Sequence, residues 1–150
     1  SGGIGTGEQM AAAFALGAEG INMGSRFVAT QEAPVHENMK QAMVAGDERQ
    51  TTLMFRSLNN TARVFKNTIS EEVTRLEAQD GETDFSDLQP LVSGVRGRER
   101  CIENGEIDDG IWTVGQVMGL INDVPTCEEL IERMVRECEE IISGRLQRLL

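Results

Sequence analysis

The sequence contains few aromatic residues, histidines, prolines and cysteines. It has no tyrosine, one tryptophan, one histidine and three prolines, and only 4% of its residues are aromatic. The cysteines are odd in number and form no CxxC pair, which argues against a disulfide framework and a zinc site. We therefore expect no metal and three reduced thiols, at Cys101, Cys127 and Cys138. No apolar run approaches the roughly 20 residues of a membrane span, and no secretory signal is recognisable.

Basic residues are also scarce. Lysine and arginine number 14 against 25 aspartate and glutamate residues, which gives a net charge of -11. This balance argues against nucleic acid and anionic membranes as partners, because both bind basic surfaces. Apolar residues make up 39% and charged residues 26%, as in globular proteins. We expect a cytoplasmic protein whose partner is a small molecule.

Glycine, in contrast, is concentrated near the start of the chain. The first seven residues, Ser-Gly-Gly-Ile-Gly-Thr-Gly, form one glycine-rich turn, and Gly24-Ser25 forms a second. Between the turns, a capping pattern predicts a helix over Gly7–Leu16, and the following residues predict a short strand over Gly20–Met23. Turns at the mouth of a helix offer unobstructed N–H groups to a phosphate. In (β/α)8 barrels such turns follow strands 7 and 8.

The two turns are predicted to form one anion site with Gly3, Gly24 and Ser25 as donors. Both are expected to end at the same edge of a sheet. Their N–H groups would then point at a common position, where a phosphate would accept bonds from each turn.

The middle of the chain is predicted to form a small, mostly helical lobe. The pattern predicts, in chain order, a helix from Pro34 to Gly46, a strand over Thr51–Ser57, and helices over Ser70–Ala78 and Asp84–Val92 bounded by Gly81 and Gly94. This lobe is expected to bury Phe85, Leu88 and Leu91 together.

Two helices are predicted in the last part of the chain, over Thr113–Ile121 and Thr126–Leu146, the second with a capping box. Trp112 is interpreted either as a core anchor or as part of a pocket lining. Gly115 and Gly119 lie one helical turn apart and would allow a neighbouring element to approach closely.

Several segments together carry a family resemblance. The first turn and the stretch Gly-Ala-Glu-Gly-Ile-Asn-Met-Gly-Ser-Arg-Phe resemble the flavin-phosphate region of the nitronate monooxygenase family, once called 2-nitropropane dioxygenases. The segments Glu32–Lys40, Phe55–Arg63 and Gly110–Ile121 also resemble family segments, so the resemblance covers essentially the whole chain. The sequence Arg-Ser-Leu-Asn-Asn-Thr-Ala-Arg within Phe55–Arg63 is most similar to the branch that reduces quinones with NADH.

The resemblance implies an α/β fold, namely the carboxy-terminal part of a (β/α)8 TIM barrel. It would run from the end of strand 7 through strand 8 to the closing helix, with an inserted, mostly helical small domain. Such a barrel needs roughly 250 residues, so the remaining amino-terminal barrel portion is an expected partner. The expected division is 1–30 for the last βα units with the phosphate turns, 31–110 for the small helical cap, and 111–150 for a substrate-side helix and the closing helix.

The function that the resemblance implies is that of an FMN-dependent NAD(P)H:quinone reductase. By analogy with the family, the FMN phosphate would be held through backbone N–H groups and serine hydroxyls of Ser1, Gly2, Gly3, Gly24 and Ser25. Trp112 and Gln116 would lie at the substrate end of the site. The redox chemistry itself would belong to the flavin.

Three further functions are compatible with the same residues. The first is a nitronate monooxygenase, oxidising alkyl nitronates with O2, which would need a histidine base. His36, the only histidine, does not match the family's position and is interpreted as a helix-end residue. The second is a flavin-dependent enoyl-ACP reductase, and the third is a non-catalytic fragment that acts as an interaction module. No catalytic residue is assigned.

Overall fold

The computed structural model describes residues 1–79 and 84–149. Within these ranges the chain combines helices with one two-stranded antiparallel sheet. The regular elements are α1 (Gly7–Ala15), α2 (Ser25–Val28), α3 (Glu37–Ala45), β1 (Thr51–Met54), β2 (Ala62–Phe65), α4 (Thr68–Glu77), α5 (Phe85–Val92), α6 (Gly94–Arg96) and α7 (Cys127–Glu140). Two π-helical segments, Gly97–Glu103 and Ile141–Leu146, and two 3-10 turns, Gln116–Leu120 and Gln147–Leu149, complete them.

The first and last α-helices pack against each other, and both start where the sequence predicts. The hydroxyl of Thr6 accepts a hydrogen bond from Gln9 N and caps α1. Thr126 and Glu129 form a complete capping box at the start of α7. At the contact, Gly7 leaves no room for a side chain, since an added Cβ would lie 2.3 Å from Glu137 Cβ. Beyond Glu140, α7 continues as the π-helical segment.

A central core joins α3, the sheet and the segment before α7. The rings of Phe65 and Trp112 stack at a centroid distance of 4.3 Å and an interplanar angle of 17°. The buried residues of this core are Ala29, Met39, Met43, Phe65, Cys101, Trp112, Val114, Met118 and Ile121. These residues come from distant parts of the sequence, so the core ties the middle of the chain to its last third.

A second, smaller core supports the lobe formed by β1, β2, α4 and α5. It contains Met54, Val64, Val73 and Leu88, with Leu91 packed against it. The prediction that Phe85 joins this cluster is wrong, because Phe85 is 53% exposed. It is the first residue of α5, and the buried residue of that helix is Leu88. Gly81 lies outside the described residues.

The predicted strand at Gly20–Met23 is not a strand in this structure. A strand is stabilised by a ladder of backbone hydrogen bonds to a neighbour. Within the described ranges this segment accepts one backbone bond, from Gly2 N to Asn22 O at 3.3 Å. It therefore runs between α1 and α2 without a ladder partner.

The predicted helix at Thr113–Ile121 is also wrong in its extent. Thr113 forms an antiparallel bridge with Val64, and Gly115 is extended, with φ −88° and ψ 167°. Regular helix is replaced by the 3-10 turn Gln116–Leu120. Two glycines and β-branched valines give this segment low helix propensity, so pairing with the sheet determines its conformation.

The lobe also departs from prediction at its entry and in its sheet. The helix expected from Pro34 begins at Glu37, because His36 N donates to Ile102 O and holds the chain extended before α3. The strand expected to reach Ser57 ends at Met54, where Phe55 turns to φ 63°. The chain then returns as β2, an antiparallel partner that the sequence pattern does not predict. Helices α4 and α5 lie within about two residues of their predicted positions.

None of the helices in the described ranges is both long and apolar enough to cross a membrane.

Candidate functional site

The two glycine turns lie side by side. Gly2 N donates to Asn22 O at 3.3 Å, which joins the first turn to the residues directly before the second. Gly2 and Gly3 have φ values of 81° and 74°, a left-handed conformation that glycine adopts without steric cost. Gln9 fixes the first turn by accepting from Gly5 N at 2.8 Å and donating to Gly3 O at 2.9 Å.

Some backbone N–H groups of the two turns already donate hydrogen bonds within the protein, and others do not. Gly2 N donates to Asn22 O, and Gly7 N donates to the Glu137 carboxylate at 3.1 Å. In the described part of the chain, the N–H groups of Gly3, Gly24 and Ser25 have no acceptor. These are the three donors predicted for the anion site. The α1 N-terminus is less available than expected, because the Glu137 carboxylate already lies at it.

The space in front of these donors is open. A Cβ built on Gly2, Gly3 or Gly24 meets no atom within 4 Å. Ser1 is exposed at the edge of the same turn. Since α2 is a single turn, the second glycine turn offers individual N–H groups rather than the dipole of a long helix. Donor type and open space together fit a phosphate group.

The Ser25 side chain has a protein partner that the sequence does not reveal. Its Oγ accepts a hydrogen bond from Gly115 N at 2.8 Å, across 90 residues of sequence. The bond connects the second glycine turn to the segment of Gln116. No local sequence signal could predict it, because it depends on tertiary folding.

An ion-pair cluster around the buried Arg26 adjoins the second turn. Arg26, 2% exposed, donates to Asp123 Oδ1 at 2.5 Å and to Asp123 O at 3.3 Å. Arg133 donates to the other oxygen of the same carboxylate, Oδ2, at 2.6 Å. Hydrogen bonding from Arg133 and the charges of both arginines hold the pKa of Asp123 below its usual value, against an opposing effect of partial burial. Burial lowers the pKa of Arg26, and Asp123 opposes that shift.

The two residues predicted at the substrate end differ in their environment. Trp112 is buried, stacks on Phe65 and donates from Nε1 to Ile107 O at 3.0 Å, as expected of a core anchor. Gln116 is exposed at the start of its 3-10 turn. A substrate-contacting role for either residue stays a prediction.

His36 has a structural role. Its Nδ1 accepts from Asn38 N at 3.1 Å, so the imidazole caps α3. The ring also packs on Gly105, whose φ is 73°. The interpretation of His36 as a helix-end residue is confirmed.

The described residues contain no group of histidine, cysteine and acidic side chains able to hold a metal ion. The three cysteines are free thiols. Burial, with a smaller effect of Asp109, raises the pKa of Cys101 to about 11, so this thiol is protonated at neutral pH.

Comparison with known proteins identifies the family of the chain. The family model described as nitronate monooxygenase matches residues 1–137. The chain belongs to the nitronate monooxygenase family. Its relatives are flavin-dependent oxidoreductases, and the solved structures it resembles are TIM-barrel enzymes.

Individual relatives show the extent of the similarity. A nitronate monooxygenase of Paraburkholderia phytofirmans is 29% identical over 144 residues, 95% of this chain and 38% of the relative. A (3aS,4S,5R,7aS)-5-hydroxy-7a-methyl-1-oxo-octahydro-1H-indene-4-carboxyl-CoA dehydrogenase of Rhodococcus jostii is 24% identical over 170 residues, 91% of this chain and 48% of the relative. The structure of FabK from Thermotoga maritima matches with a TM-score of 0.88 and 32% identity, over 99% of this chain and 46% of that protein. The chain thus spans less than half the length of these proteins.

Proposed function

We propose that this chain is the phosphate-binding, carboxy-terminal part of an FMN-dependent oxidoreductase. The observation that carries the proposal is a set of three N–H groups, on Gly3, Gly24 and Ser25, that have no acceptor among the described residues. They lie in two turns joined by the bond from Gly2 N to Asn22 O. A phosphate at this position would accept charge-assisted bonds from both turns. Ser1 and Gly2 would complete the rim of the site.

The proposal extends to the position of this chain in a barrel. In the complete enzyme, Gly20–Met23 would be strand 8 of a (β/α)8 barrel, and α1 and α7 would be outer helices. The assignment is supported by the solved TIM-barrel structures that the chain resembles. Residues 31–110 would form the cap and 111–150 the substrate-side segment and closing helix.

When bound, FMN would supply the redox chemistry, taking up electrons from a donor and passing them to an acceptor. The residues of this chain would bind its phosphate and hold the Gly115–Gln116 segment nearby. Ser25 contributes to both tasks, because it carries one of the free N–H groups and its side chain bonds Gly115.

The reaction we propose is the reduction of a quinone to its hydroquinone by NAD(P)H. It is supported by the Phe55–Arg63 segment, which resembles the quinone-reducing branch and forms the loop between β1 and β2 together with the start of β2. A second candidate, oxidation of an alkyl nitronate with O2, is favoured by the family model and by the names of several relatives.

A paired steady-state assay separates these candidates. The full-length protein, reconstituted with FMN, would be supplied either with NADH or NADPH plus a quinone, or with a nitronate plus oxygen. We expect turnover with the first pair and little with the second. Turnover with the nitronate plus oxygen but not with the quinone would overturn the quinone assignment. It would still support the proposed binding of FMN.

Substitution of Gly24 tests the phosphate site itself. In the full-length protein, we expect Gly24→Val to lower FMN occupancy about tenfold or more, because a β-branched side chain fills the space that the phosphate must enter. No atom lies within 4 Å of the new Cβ and φ is −99°, so the fold should tolerate the change.

The matched control for this experiment is Gly94→Val, since Gly94 also has open space around it and lies outside both turns. Bound flavin is measured by absorbance after gel filtration, and folding by circular dichroism. Flavin content in a folded Gly24→Val protein equal to that of the wild type would contradict the proposed site.

A further inference from the structure

We propose that Ser25 couples phosphate binding to the position of the Gly115–Gln116 segment, because its hydroxyl accepts a hydrogen bond from Gly115 N and would donate one to the phosphate. This inference rests on the proposed function. The hydroxyl oxygen accepts from Gly115 N at 2.8 Å. The hydroxyl hydrogen would be donated to the cofactor phosphate. Ser25 would thereby act as a positioning residue for the segment.

The chemistry of a hydroxyl permits this double role. A serine hydroxyl has one donor hydrogen and two acceptor lone pairs. In the described residues Ser25 Oγ serves as an acceptor and donates to no protein group, so its hydrogen is available. Donation to a phosphate anion would polarise the oxygen and strengthen the bond it accepts from Gly115. Phosphate binding would therefore tighten a contact on the other side of the same atom.

The first glycine turn reaches the same segment independently. A Cβ on Gly5 would lie 2.7 Å from Val117 Cγ2, which places the Val117 side chain directly against the backbone of that turn. The segment is thus contacted by the second turn at Gly115 and by the first turn at Val117. Gln116, exposed, lies between these two contacts.

Gly115 N donates to Ser25 Oγ at one end of the segment, and the buried Val117 and Met118 anchor the other end. The bond at Gly115 can therefore set the position of the segment. A change at the Ser25 oxygen would shift the backbone that carries Gln116. The coupling would thereby link cofactor binding to the orientation of Gln116, an exposed polar side chain.

The test is amide hydrogen exchange at Gly115, measured by NMR on the full-length protein with and without FMN. In the wild type, FMN should slow exchange of the Gly115 amide about tenfold, as expected for a strengthened hydrogen bond. The amide of Leu130, which donates to Thr126 O at the start of α7, is the internal control, and its exchange rate should not change with FMN.

Variants of Ser25 separate the hydroxyl from general structure. Ser25→Ala should speed Gly115 exchange about tenfold in the FMN-free protein and remove the further slowing by FMN. Ser25→Thr, which keeps the hydroxyl, should restore both effects. Because threonine also restores the lost volume, the deciding readout is the slowing by FMN, which requires a hydroxyl hydrogen and would not arise from space filling.

The outcomes distinguish this inference from the function on which it rests. If the wild type binds FMN but Gly115 exchange does not change, the coupling is refuted and the proposed function stands. If the wild type binds no FMN, both are overturned. Ser25→Ala with FMN-dependent slowing like that of the wild type would also refute the coupling, and the wild-type comparison does not depend on whether any variant folds.

Discussion

At the residue scale, the Arg26–Asp123 pair links the start of the chain to its last third. Arg26 is almost fully buried, whereas the Asp123 side chain is 36% exposed and shared with Arg133. A buried guanidinium without its carboxylate would be an uncompensated charge. The pair therefore fixes the residue that follows Gly24 and Ser25.

We expect Asp123→Asn to lower the free energy of unfolding by about 2 kcal/mol at neutral pH, a value reduced for the solvent exposure of the carboxylate. The folded-state pKa of Asp123 is lowered, so its contribution is complete above the unfolded pKa of about 3.9 and is lost as pH falls through the folded value. The difference between variant and wild type should thus shrink below about pH 4.

Urea unfolding at pH 7 and pH 3 measures this difference. The control is Glu72→Gln, which breaks an exposed pair with Arg75 on α4 and should leave stability nearly unchanged at both pH values. A destabilisation by Asp123→Asn that is as large at pH 3 as at pH 7 would contradict the ion-pair explanation.

The site could be predicted from sequence only in part. Gly3, Gly24 and Ser25 are recognisable because glycine-rich turns before helices follow a local pattern. The partners Asp123 and Gly115 lie 97 and 90 residues from Arg26 and Ser25, and no local pattern encodes such contacts.

At the element scale, helices with strong local signals follow the sequence, and elements that depend on partners do not. The capped helices α1 and α7 start where predicted because their N-terminal bonds are made within a few residues. The Gly20–Met23 strand and the Thr113–Ile121 helix fail for the same physical reason. Neither conformation is decided by the intrinsic preferences of the residues. Thr113 pairs with the distant Val64, and Gly20–Met23 has no strand partner within the described ranges.

The contact between α1 and α7 allows an element-scale prediction. We expect Gly7→Ala to destabilise the protein by about 1–3 kcal/mol, because the new Cβ would overlap Glu137 Cβ and Met134 O and push the helices apart. Thermal and urea unfolding would measure the loss. Gly144→Ala, in the π-helical extension of α7 with open space around it, is the control and should be neutral or slightly stabilising. Equal stability of the two variants would show that α1 and α7 do not pack as closely as Gly7 indicates.

At the scale of the whole molecule, α7 carries two apolar faces. Leu130, Met134 and Cys138 are buried, whereas Ile131 and Val135 are 49% and 39% exposed. Ile131 and Val135 lie one helical turn apart, so they form a continuous apolar stripe. In the proposed barrel this stripe would be covered by the amino-terminal portion, together with Gly20–Met23, which has no ladder partner within the described residues.

The 150-residue chain purified alone should therefore associate with itself, because an uncovered apolar stripe and an unpaired backbone edge both favour intermolecular contact. In sedimentation equilibrium we expect a mass that rises with concentration above 16.5 kDa. The double substitution Ile131→Gln, Val135→Gln should shift the association to higher concentration, about tenfold, by removing apolar area from the interface. Glu132→Gln with Arg136→Gln is the matched control, since it changes two exposed positions one turn apart on the same helix and leaves the net charge unchanged. A wild-type chain that stays monomeric at all concentrations would show that the stripe does not drive association. The proposal that the amino-terminal barrel portion covers this stripe would then be contradicted.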